Sequence, residues 1–373
     1  MKIPYGRQCV DEDDIAAVAE CLRSEYLTTG PMVERFERLV AEAVGATRAV
    51  AFANGSAALL AAAFALDLGP GDEAIVTPMT FVATANCILA RGATPVFADV
   101  LPDTLLIDPQ KVKERLSPST KAVFAVDYAG QPCDYAALRE LASPRGLAVV
   151  ADSCHALGAT RDGASPAEMA DMAVYSFHPV KHITTGEGGM LVARDPEREE
   201  LARIFRNHGI RADARQRERA NAYAYDVEYL SSNYRLSDIN CALGVSQMGK
   251  LPRFLARREE IASRYDAVFS GHERIRPLRR EKGHANHLYV VRVPETMRDR
   301  VFYALREQGI LVNAHYRPVH LFSLYKKTLG VGEGLCPVAE QAWREILSLP
   351  IHPSLTGEEL EMTAAALKKA VEA

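Results

Sequence analysis

The sequence predicts an α/β fold with two domains, a large one built on a mostly parallel sheet and a smaller C-terminal α+β domain. Three observations support this prediction. The chain has 373 residues, which is more than one ordinary hydrophobic core accommodates. Short apolar runs alternate with helical stretches over the first half of the chain. The alternation weakens after "GGMLVARD", which ends at residue 195.

Two amphipathic helices open the chain. Asp11 can cap the first, whose apolar residues share one face, and the second repeats this spacing before Gly45. The apolar residues of the two helices are Ile15, Val18, Ala19 and Leu22, followed by Phe36, Leu39, Val40 and Ala43.

Strands and helices then alternate, which indicates a mostly parallel sheet with both faces covered. Ligands of such sheets gather at the carboxyl ends of the strands. The predicted strands are "RAVAFA", "EAIVTP", "TPVFADV", "KAVFAVD" and "LAVVAD", and the helices between them include "SAALLAAAFALDLG" and "CDYAALRELAS".

The second half of the chain has a different pattern. Residues 211–235 are polar and rich in tyrosine, which predicts a long loop or a subunit contact. Helices are predicted near 236–248 and 252–269, and "HLYVVRV" with "RDRVFYALREQG" indicates a smaller α+β unit. The expected division is therefore 1–249 for the N-terminal segment and large domain, and 250–373 for the small domain.

Composition narrows the functional classes. Apolar residues make up 48% and charged residues 25%, as in soluble globular proteins. The net charge of −4 and the lack of a basic block argue against a nucleic-acid surface. Seven cysteines without a CxxC pair are typical of buried thiols in a reducing compartment. No signal-like segment and no membrane-spanning stretch is visible, so we expect a cytoplasmic protein.

A carboxylate and an amine follow two neighbouring strands. "LAVVAD" ends at Asp152, and "DMAVYSFH" is followed by Lys181 in a turn rich in glycine. Pyridoxal 5'-phosphate (PLP) needs both groups, because its aldehyde forms a Schiff base with lysine and its ring nitrogen needs an anionic partner. Asn54-Gly55-Ser56 follows another strand and opens a helix, whose N-terminus suits the phosphate.

Each of these residues also has an ordinary structural interpretation. A single lysine is usually a surface charge, an aspartate after a strand often caps a helix, and Asn-Gly-Ser is often a plain N-cap. Phe81 suits stacking on a pyridine ring but could be a core residue, and His155 could be a satisfied buried histidine. These interpretations are independent of one another, whereas one cofactor explains the whole set.

A metal site is not predicted. His178 and His182 are four residues apart, but Pro179 interrupts a helix between them and no third ligand is evident. A metal-dependent enzyme that uses these histidines remains an alternative, as does a regulator that binds PLP without catalysis.

Nearly the whole chain resembles the DegT/DnrJ/EryC1/StrS family of sugar-nucleotide aminotransferases. The resemblance lies in "IPYGRQCVDEDDIAAVAECLRSEYLTTGPMVERFE", "SSNYRLSDINCALG" and "HYRPVHLF". It implies the PLP-dependent transferase fold of type I, like that of aspartate aminotransferase. "SEYLTTGP", "ADSCHALGA" and "SFHPVKHITTGEGG" most resemble the branch that serves pseudaminic acid synthesis.

The resemblance also implies the roles of the site residues. Lys181 would hold the PLP aldehyde, Asp152 the ring nitrogen and His155 the phenolic oxygen. Phe81 would stack on the ring. The phosphate ligands would be Gly55, Ser56 and Ser176, together with Asn233 of a neighbouring subunit in a homodimer. Many relatives have threonine at the position of Ser56, and the hydroxyl is retained.

The implied reaction moves an amino group from L-glutamate to carbon 4 of a UDP-linked 4-keto-6-deoxy sugar. Another 3- or 4-aminotransferase acting on TDP- or GDP-linked sugars is the alternative. Arginine suits pyrophosphate or carboxylate groups, although salt bridges at a domain contact would explain it equally well. The candidate substrate-binding residues are Arg235, His315, Tyr316, Arg317 and His320.

Overall fold

The computed structural model describes residues 2–212 and 214–373, which fold around three sheets. Its strands are β1 (Ile3–Pro4), β2 (Val50–Phe52), β3 (Glu73–Val76), β4 (Thr94–Phe97), β5 (Thr120–Val126), β6 (Ala148–Asp152), β7 (Met172–Ser176), β8 (Gly189–Ala193), β9 (Arg276–Pro277), β10 (Tyr289–Arg292), β11 (Ile310–Leu311) and β12 (Ile346–Leu349). Its helices are α1 (Glu12–Arg23), α2 (Pro31–Ala43), α3 (Gly55–Ala65), α4 (Ala83–Ala90), α5 (Pro109–Arg115), α6 (Tyr135–Ala142), α7 (Pro166–Met169), α8 (Pro196–Arg206), α9 (Ala214–Arg219), α10 (Asp238–Met248), α11 (Leu251–Phe269), α12 (Glu295–Glu307), α13 (Ser323–Leu329), α14 (Pro337–Glu345) and α15 (Gly357–Glu372).

The large sheet has seven strands in the order β2-β8-β7-β6-β5-β3-β4. Neighbouring strands from β7 to β4 run parallel, and β8 alone runs against both of its neighbours. The mostly parallel sheet predicted from the sequence is therefore confirmed. All five residues of β6 are buried, as expected for a strand that is covered on both faces.

Helix α3 covers one face of this sheet and is almost wholly buried. It is rich in alanine, and the small side chains allow its backbone to pack closely against β7, β8 and α8. Asn54 caps its start, with the side-chain oxygen accepting a hydrogen bond from the N–H of Ala57 at 2.9 Å. The helix thereby begins at the carboxyl edge of the sheet, where ligands collect.

A second hydrophobic core lies around the antiparallel sheet β12-β10-β9. Helix α11 joins the two cores, because Leu251 and Phe254 pack into the first and Ile261 and Tyr265 into the second. The predicted boundary near residue 250 falls at the start of this helix and stays a prediction.

The first residues of the chain pair with its C-terminal part. In β1, Ile3 is parallel to Ile310 of β11, and its N–H donates to the carbonyl of Gly309 at 2.9 Å. Ile3 is buried in the second core. The predicted division places this strand in 1–249, with the N-terminal segment and large domain, whereas its partner strand β11 lies in 250–373.

The tyrosine-rich segment differs in part from the sequence-based expectation. Helix α9 lies within it, and residues 220–230 that follow are exposed throughout. Tyr223 and Leu230 are 96% and 94% exposed, which is unusual for large apolar side chains.

All seven cysteines are free thiols. Across the described ranges, no helix combines the length and the apolar character of a membrane span.

Candidate active site

A cavity of about 800 Å³ lies at the carboxyl edge of the large sheet. One part of its wall comes from residues that follow β2, β3, β6 and β7, and another from the segment 313–317 with Phe322 and Trp343. It brings together ten of the residues predicted from the sequence, namely Gly55, Ser56, Phe81, Asp152, His155, Ser176, Lys181, His315, Tyr316 and Arg317.

Lys181 reaches this cavity from a turn after β7. The turn is closed by a hydrogen bond from the Lys181 N–H to the carbonyl of His178 at 2.8 Å. Burial lowers the pKa of the Lys181 amine, against the opposing effects of Cys154 and Asp152, and the guanidinium of Arg258 lowers it further. The site therefore favours the neutral, nucleophilic form of this amine more than water does.

Asp152 is the last residue of β6 and is 5% exposed. Its carboxylate accepts a hydrogen bond from the Thr84 hydroxyl at 2.6 Å and a longer one from the Cys154 N–H at 3.2 Å. No lysine, arginine or histidine of the described chain forms an ion pair with it. A buried carboxylate that is fixed but lacks a cationic side-chain partner can accept one from a ligand.

The start of α3 forms the end of the cavity near β7. The first N–H groups of a helix have no partner inside it, so Gly55 and Ser56 present donors to an anion. A Cβ atom on Gly55 would lie 3.1 Å from the Cβ of Ser176 and 3.3 Å from the Sγ of Cys154. Glycine thus lets the helix start close to the end of β7.

Gly189 makes a second close approach possible. It opens β8 beside the start of α3, and a Cβ atom there would lie 2.4 Å from the carbonyl carbon of Asn54 and 2.6 Å from the nitrogen of Gly55. Real Cβ atoms do not approach backbone this closely, so any larger residue would displace the N-terminus of α3.

His155 also lines the cavity. Its Nε2 is 3.1 Å from the Tyr316 hydroxyl, its ring centroid is 4.3 Å from that of His287, and its Nδ1 has no partner among the described atoms. Burial and, secondly, the Lys181 amine hold the pKa of His155 well below its usual value. The lowered pKa favours the neutral imidazole, whose Nδ1 is free to donate or accept one hydrogen bond.

Phe81 stands at the entrance to α4 with 59% of its surface exposed. Its ring lies 6.4 Å from the ring of Tyr316, across part of the cavity. An exposed aromatic face of this kind is available for stacking on a planar ligand.

These residues fit PLP. A helix N-terminus next to Ser176 suits the phosphate, the buried Asp152 suits a protonated ring nitrogen, and the Lys181 amine suits the aldehyde. The exposed ring of Phe81 suits the pyridine face. The cavity wall therefore carries groups whose chemistry suits each part of PLP.

The candidate substrate residues divide into two groups. His315, Tyr316 and Arg317 line the cavity. His320 does not, because it is fully buried with its Nε2 2.9 Å from the Glu340 carboxylate. This position does not support a substrate contact for His320.

Arg235 and Asn233 lie away from the cavity of their own chain. The guanidinium of Arg235 donates to the side-chain oxygen of Asn207 at 2.7 Å. The backbone N–H of Arg235 donates to the side-chain oxygen of Asn233 at 3.2 Å. Asn233 itself is exposed. Its predicted role toward a neighbouring subunit stays a prediction.

Sequence reasoning missed Thr84, Trp343 and Tyr128. Thr84 holds Asp152, Trp343 lines the cavity, and the Tyr128 hydroxyl donates to the carbonyl of His315. Thr84 follows Phe81 by three residues, one helical turn, and that spacing could have indicated it. Trp343 and Tyr128 carry no local signal, because only the tertiary fold brings Trp343 to the cavity and Tyr128 to the backbone of His315.

The two histidines considered as metal ligands have different environments. His182 is buried with its Nε2 3.0 Å from the carbonyl of Ala285, whereas His178 is exposed. Within residues 2–212 and 214–373, no group of three or more potential ligands is arranged to hold a metal ion.

The chain is similar to known proteins over nearly its whole length. The sequence profile of the DegT/DnrJ/EryC1/StrS aminotransferase family matches residues 8–368. The spore coat polysaccharide biosynthesis protein SpsC of Bacillus subtilis is 37% identical over 377 aligned positions, which cover 99% of this chain and 97% of SpsC.

Two solved structures have the same fold. PseC of Helicobacter pylori, an aminotransferase involved in the biosynthesis of pseudoaminic (pseudaminic) acid, is 32% identical with a TM-score of 0.93 and full coverage of both chains. Spr1654 from Streptococcus pneumoniae in its PLP-form is 30% identical with a TM-score of 0.93, covering 100% of this chain and 99% of the other.

Proposed function

The chain belongs to the DegT/DnrJ/EryC1/StrS aminotransferase family, and from this membership we propose that it transfers an amino group from L-glutamate to carbon 4 of a UDP-linked 4-keto-6-deoxy sugar. The family and the structures similar to this chain are PLP-dependent sugar aminotransferases, so the protein is such an enzyme with PLP as its cofactor. The substrate and the residue roles that follow are our proposals.

The observation that carries the proposal is the common location of Lys181, Asp152 and the start of α3 on one cavity wall. When bound, PLP supplies an aldehyde that amines add to and a ring that takes up an electron pair. Gly55, Ser56 and Ser176 would hold its phosphate, Phe81 its ring face and His155 its phenolic oxygen.

Lys181 would anchor the aldehyde and then act as a base. A lysine must be neutral to attack a carbon and to accept a proton, and burial lowers the pKa of Lys181 toward that state. When it is not bonded to PLP, the neutral Nζ of Lys181 would be free to take the proton from the Cα of the amino donor.

Asp152 would keep the cofactor's ring nitrogen protonated. Its carboxylate is fixed by Thr84 and by the Cys154 N–H, and it is buried away from water, where an ionic hydrogen bond is stronger. This arrangement presents a negative charge to a nitrogen that must carry a positive one.

Similarity to PseC supports the choice of substrate. That protein, 32% identical over the whole chain, is described as serving pseudoaminic acid biosynthesis, and the motifs around Asp152 and Lys181 resemble the same branch. Arg317 would bind the substrate pyrophosphate. No acidic side chain of the described chain forms an ion pair with its guanidinium.

We also propose that the active enzyme is a homodimer with shared sites. Tyr223, Tyr225 and Leu230 are largely exposed beside the exposed Asn233, a pattern typical of an uncovered protein interface. A second copy would cover these side chains and bring Asn233 to the partner's phosphate. Free cysteines throughout the chain are in keeping with the expected reducing, cytoplasmic location.

Two experiments test the proposal. Borohydride reduction of the coloured protein, followed by digestion and mass spectrometry, should add the mass of reduced pyridoxyl phosphate to the peptide with Lys181. Incubation with glutamate and a panel of UDP-, TDP- and GDP-linked 3- and 4-keto sugars should yield a 4-amino product best from a UDP sugar. Preference for another nucleotide or carbon would favour a different member of the family, and absence of any amino exchange with glutamate would favour the non-catalytic regulator.

A further inference from the structure

Trp343, the single tryptophan of the chain, lies on the cavity wall contributed by the C-terminal part of the protein. It belongs to α14 and is only partly buried. None of the proposed cofactor contacts involves it. A partly exposed indole inside a ligand cavity has an aromatic face that is free to meet a ligand.

One face of this indole is already covered. The guanidinium of Arg298 lies over the ring, 4.9 Å from its centroid. Arg298 is itself held, because its Nε donates to the carbonyl of Arg344 at 3.3 Å and lies 3.2 Å from the Asp299 carboxylate. The Arg298 guanidinium therefore occupies one face of the indole, and a ligand can stack only on the other face.

Arg317 lines the same cavity, and its side chain is also held by neighbouring groups. Its guanidinium lies 5.3 Å from the ring centroid of Phe322 and donates to the carbonyl of Leu321 at 3.2 Å. These contacts fix the side chain without neutralising its charge. A guanidinium held in one position favours an anionic oxygen, and it can donate two parallel hydrogen bonds to a phosphate group.

We propose that Trp343 and Arg317 form the subsite for the nucleotide half of the substrate, with the base stacked on the indole and the diphosphate on the guanidinium. The inference rests on the proposed function, since it gives the sugar nucleotide a place in the cavity that extends from the cofactor contacts. A flat base next to a diphosphate supplies the two chemistries that this wall offers.

The single tryptophan allows a direct test. UDP titrated into the PLP-bound enzyme, with selective excitation of tryptophan, should quench the emission of Trp343 in a saturable manner. Inorganic pyrophosphate at the same concentrations should leave the emission unchanged, because it lacks a base. Arg317→Met should raise the UDP concentration at half-quenching roughly tenfold. An unchanged emission with UDP, or equal quenching by pyrophosphate, would overturn the proposal.

Kinetics give a second measurement. Trp343→Leu should raise KM for the sugar nucleotide roughly tenfold, as expected for a lost base stack, and Trp343→Phe should raise it less. Tyr303→Leu is the matched control, because Tyr303 is 63% exposed on α12 and does not line the cavity. A wild-type KM in Trp343→Leu contradicts the proposal. If that variant does not fold, the titration of the unmodified enzyme decides.

The UDP titration does not require amino transfer. An enzyme that aminates none of the sugars in the panel refutes the proposed function, whereas the quenching by UDP alone still decides the subsite.

Discussion

The Thr84 hydroxyl donates a hydrogen bond to the Asp152 carboxylate across 2.6 Å and so joins helix α4 to the end of strand β6. Thr84 is also 2.8 Å from the hydroxyl of Thr80. The carboxylate is buried, and each hydrogen bond to it therefore contributes to its fixed orientation.

Thr84→Val should lower kcat roughly tenfold or more, because a hydrogen bond to a buried charge is lost without a change of shape. Thr84→Ser is the matched control, since it keeps the hydroxyl and should retain most of the activity. Steady-state kinetics with glutamate and a keto sugar measure both. Equal loss in the two variants would show that the methyl group, not the hydrogen bond, matters.

Lys181→Ala should reduce turnover by at least about 10³-fold, because both the anchor and the proposed base are removed. The cofactor can still bind through its phosphate and ring contacts, so the variant should contain PLP that is released on denaturation. Absorbance spectra and borohydride trapping distinguish PLP that is covalently bound from PLP that is bound noncovalently. Retained amino transfer would refute the role of Lys181.

Mixing two inactive variants tests the shared site. In Lys181→Ala the amine is missing, and in Asn233→Asp a carboxylate would repel the partner's phosphate. A mixed dimer would contain one intact site, so unfolding and refolding the two together should recover about a quarter of the wild-type activity. Each variant refolded alone provides the baseline. Recovery no greater than this baseline would argue against a contribution of Asn233 across subunits.

Gly189→Ala should destabilise the protein by about 1–3 kcal/mol and weaken PLP binding, since the added carbon meets the backbone at the start of α3. Gly332→Ala is the matched control, because a Cβ there has no neighbour within 4 Å. Denaturant unfolding and PLP titration measure the two effects. If both variants bind PLP like the wild type, the close packing at Gly189 does not shape the phosphate site.

Stability should fall as the pH drops below about 6.5, the ordinary pKa of histidine. Burial lowers the pKa of His284 and His315 to about 3 and that of His352 to about 4. Between those values and about 6.5 the unfolded chain binds more protons than the folded one, so each histidine costs up to about 1.4 kcal/mol per pH unit.

One buried acid has the opposite effect. Burial raises the pKa of Asp127 to about 7, so its contribution to stability decreases as the pH rises toward that value. Three histidines outweigh this single group, and the urea midpoint should therefore be lower at about pH 5 than at about pH 7. A midpoint that is constant over this range would contradict the buried, neutral state of the histidines.

The sequence was sufficient for the features that depend on local pattern. Alternating apolar runs predicted the parallel sheet, and the order of Asp152 and Lys181 after two strands predicted that they would share an edge. The cavity that contains both agrees with this expectation. The experiments above test the chemical roles of Asp152 and Lys181.

Features that depend on distant parts of the chain could not be predicted in this way. The pairing of Ile3 with Ile310 and the position of Trp343 at the cavity join segments with no shared local signal. His320 was grouped with its neighbours in "HYRPVHLF", but its side chain is buried in the interior, where it is hydrogen-bonded to the Glu340 carboxylate. Short sequence distance does not ensure that side chains face the same site.

The pairing of β1 with β11 has a consequence for biosynthesis. Strand β1 can complete its pairing only after Ile310 has been translated, so this pairing forms late. A separately expressed fragment that starts near Lys250 would lack Ile3 from its interior. Supplying the missing segment as a synthetic peptide in trans should make such a fragment more resistant to proteolysis.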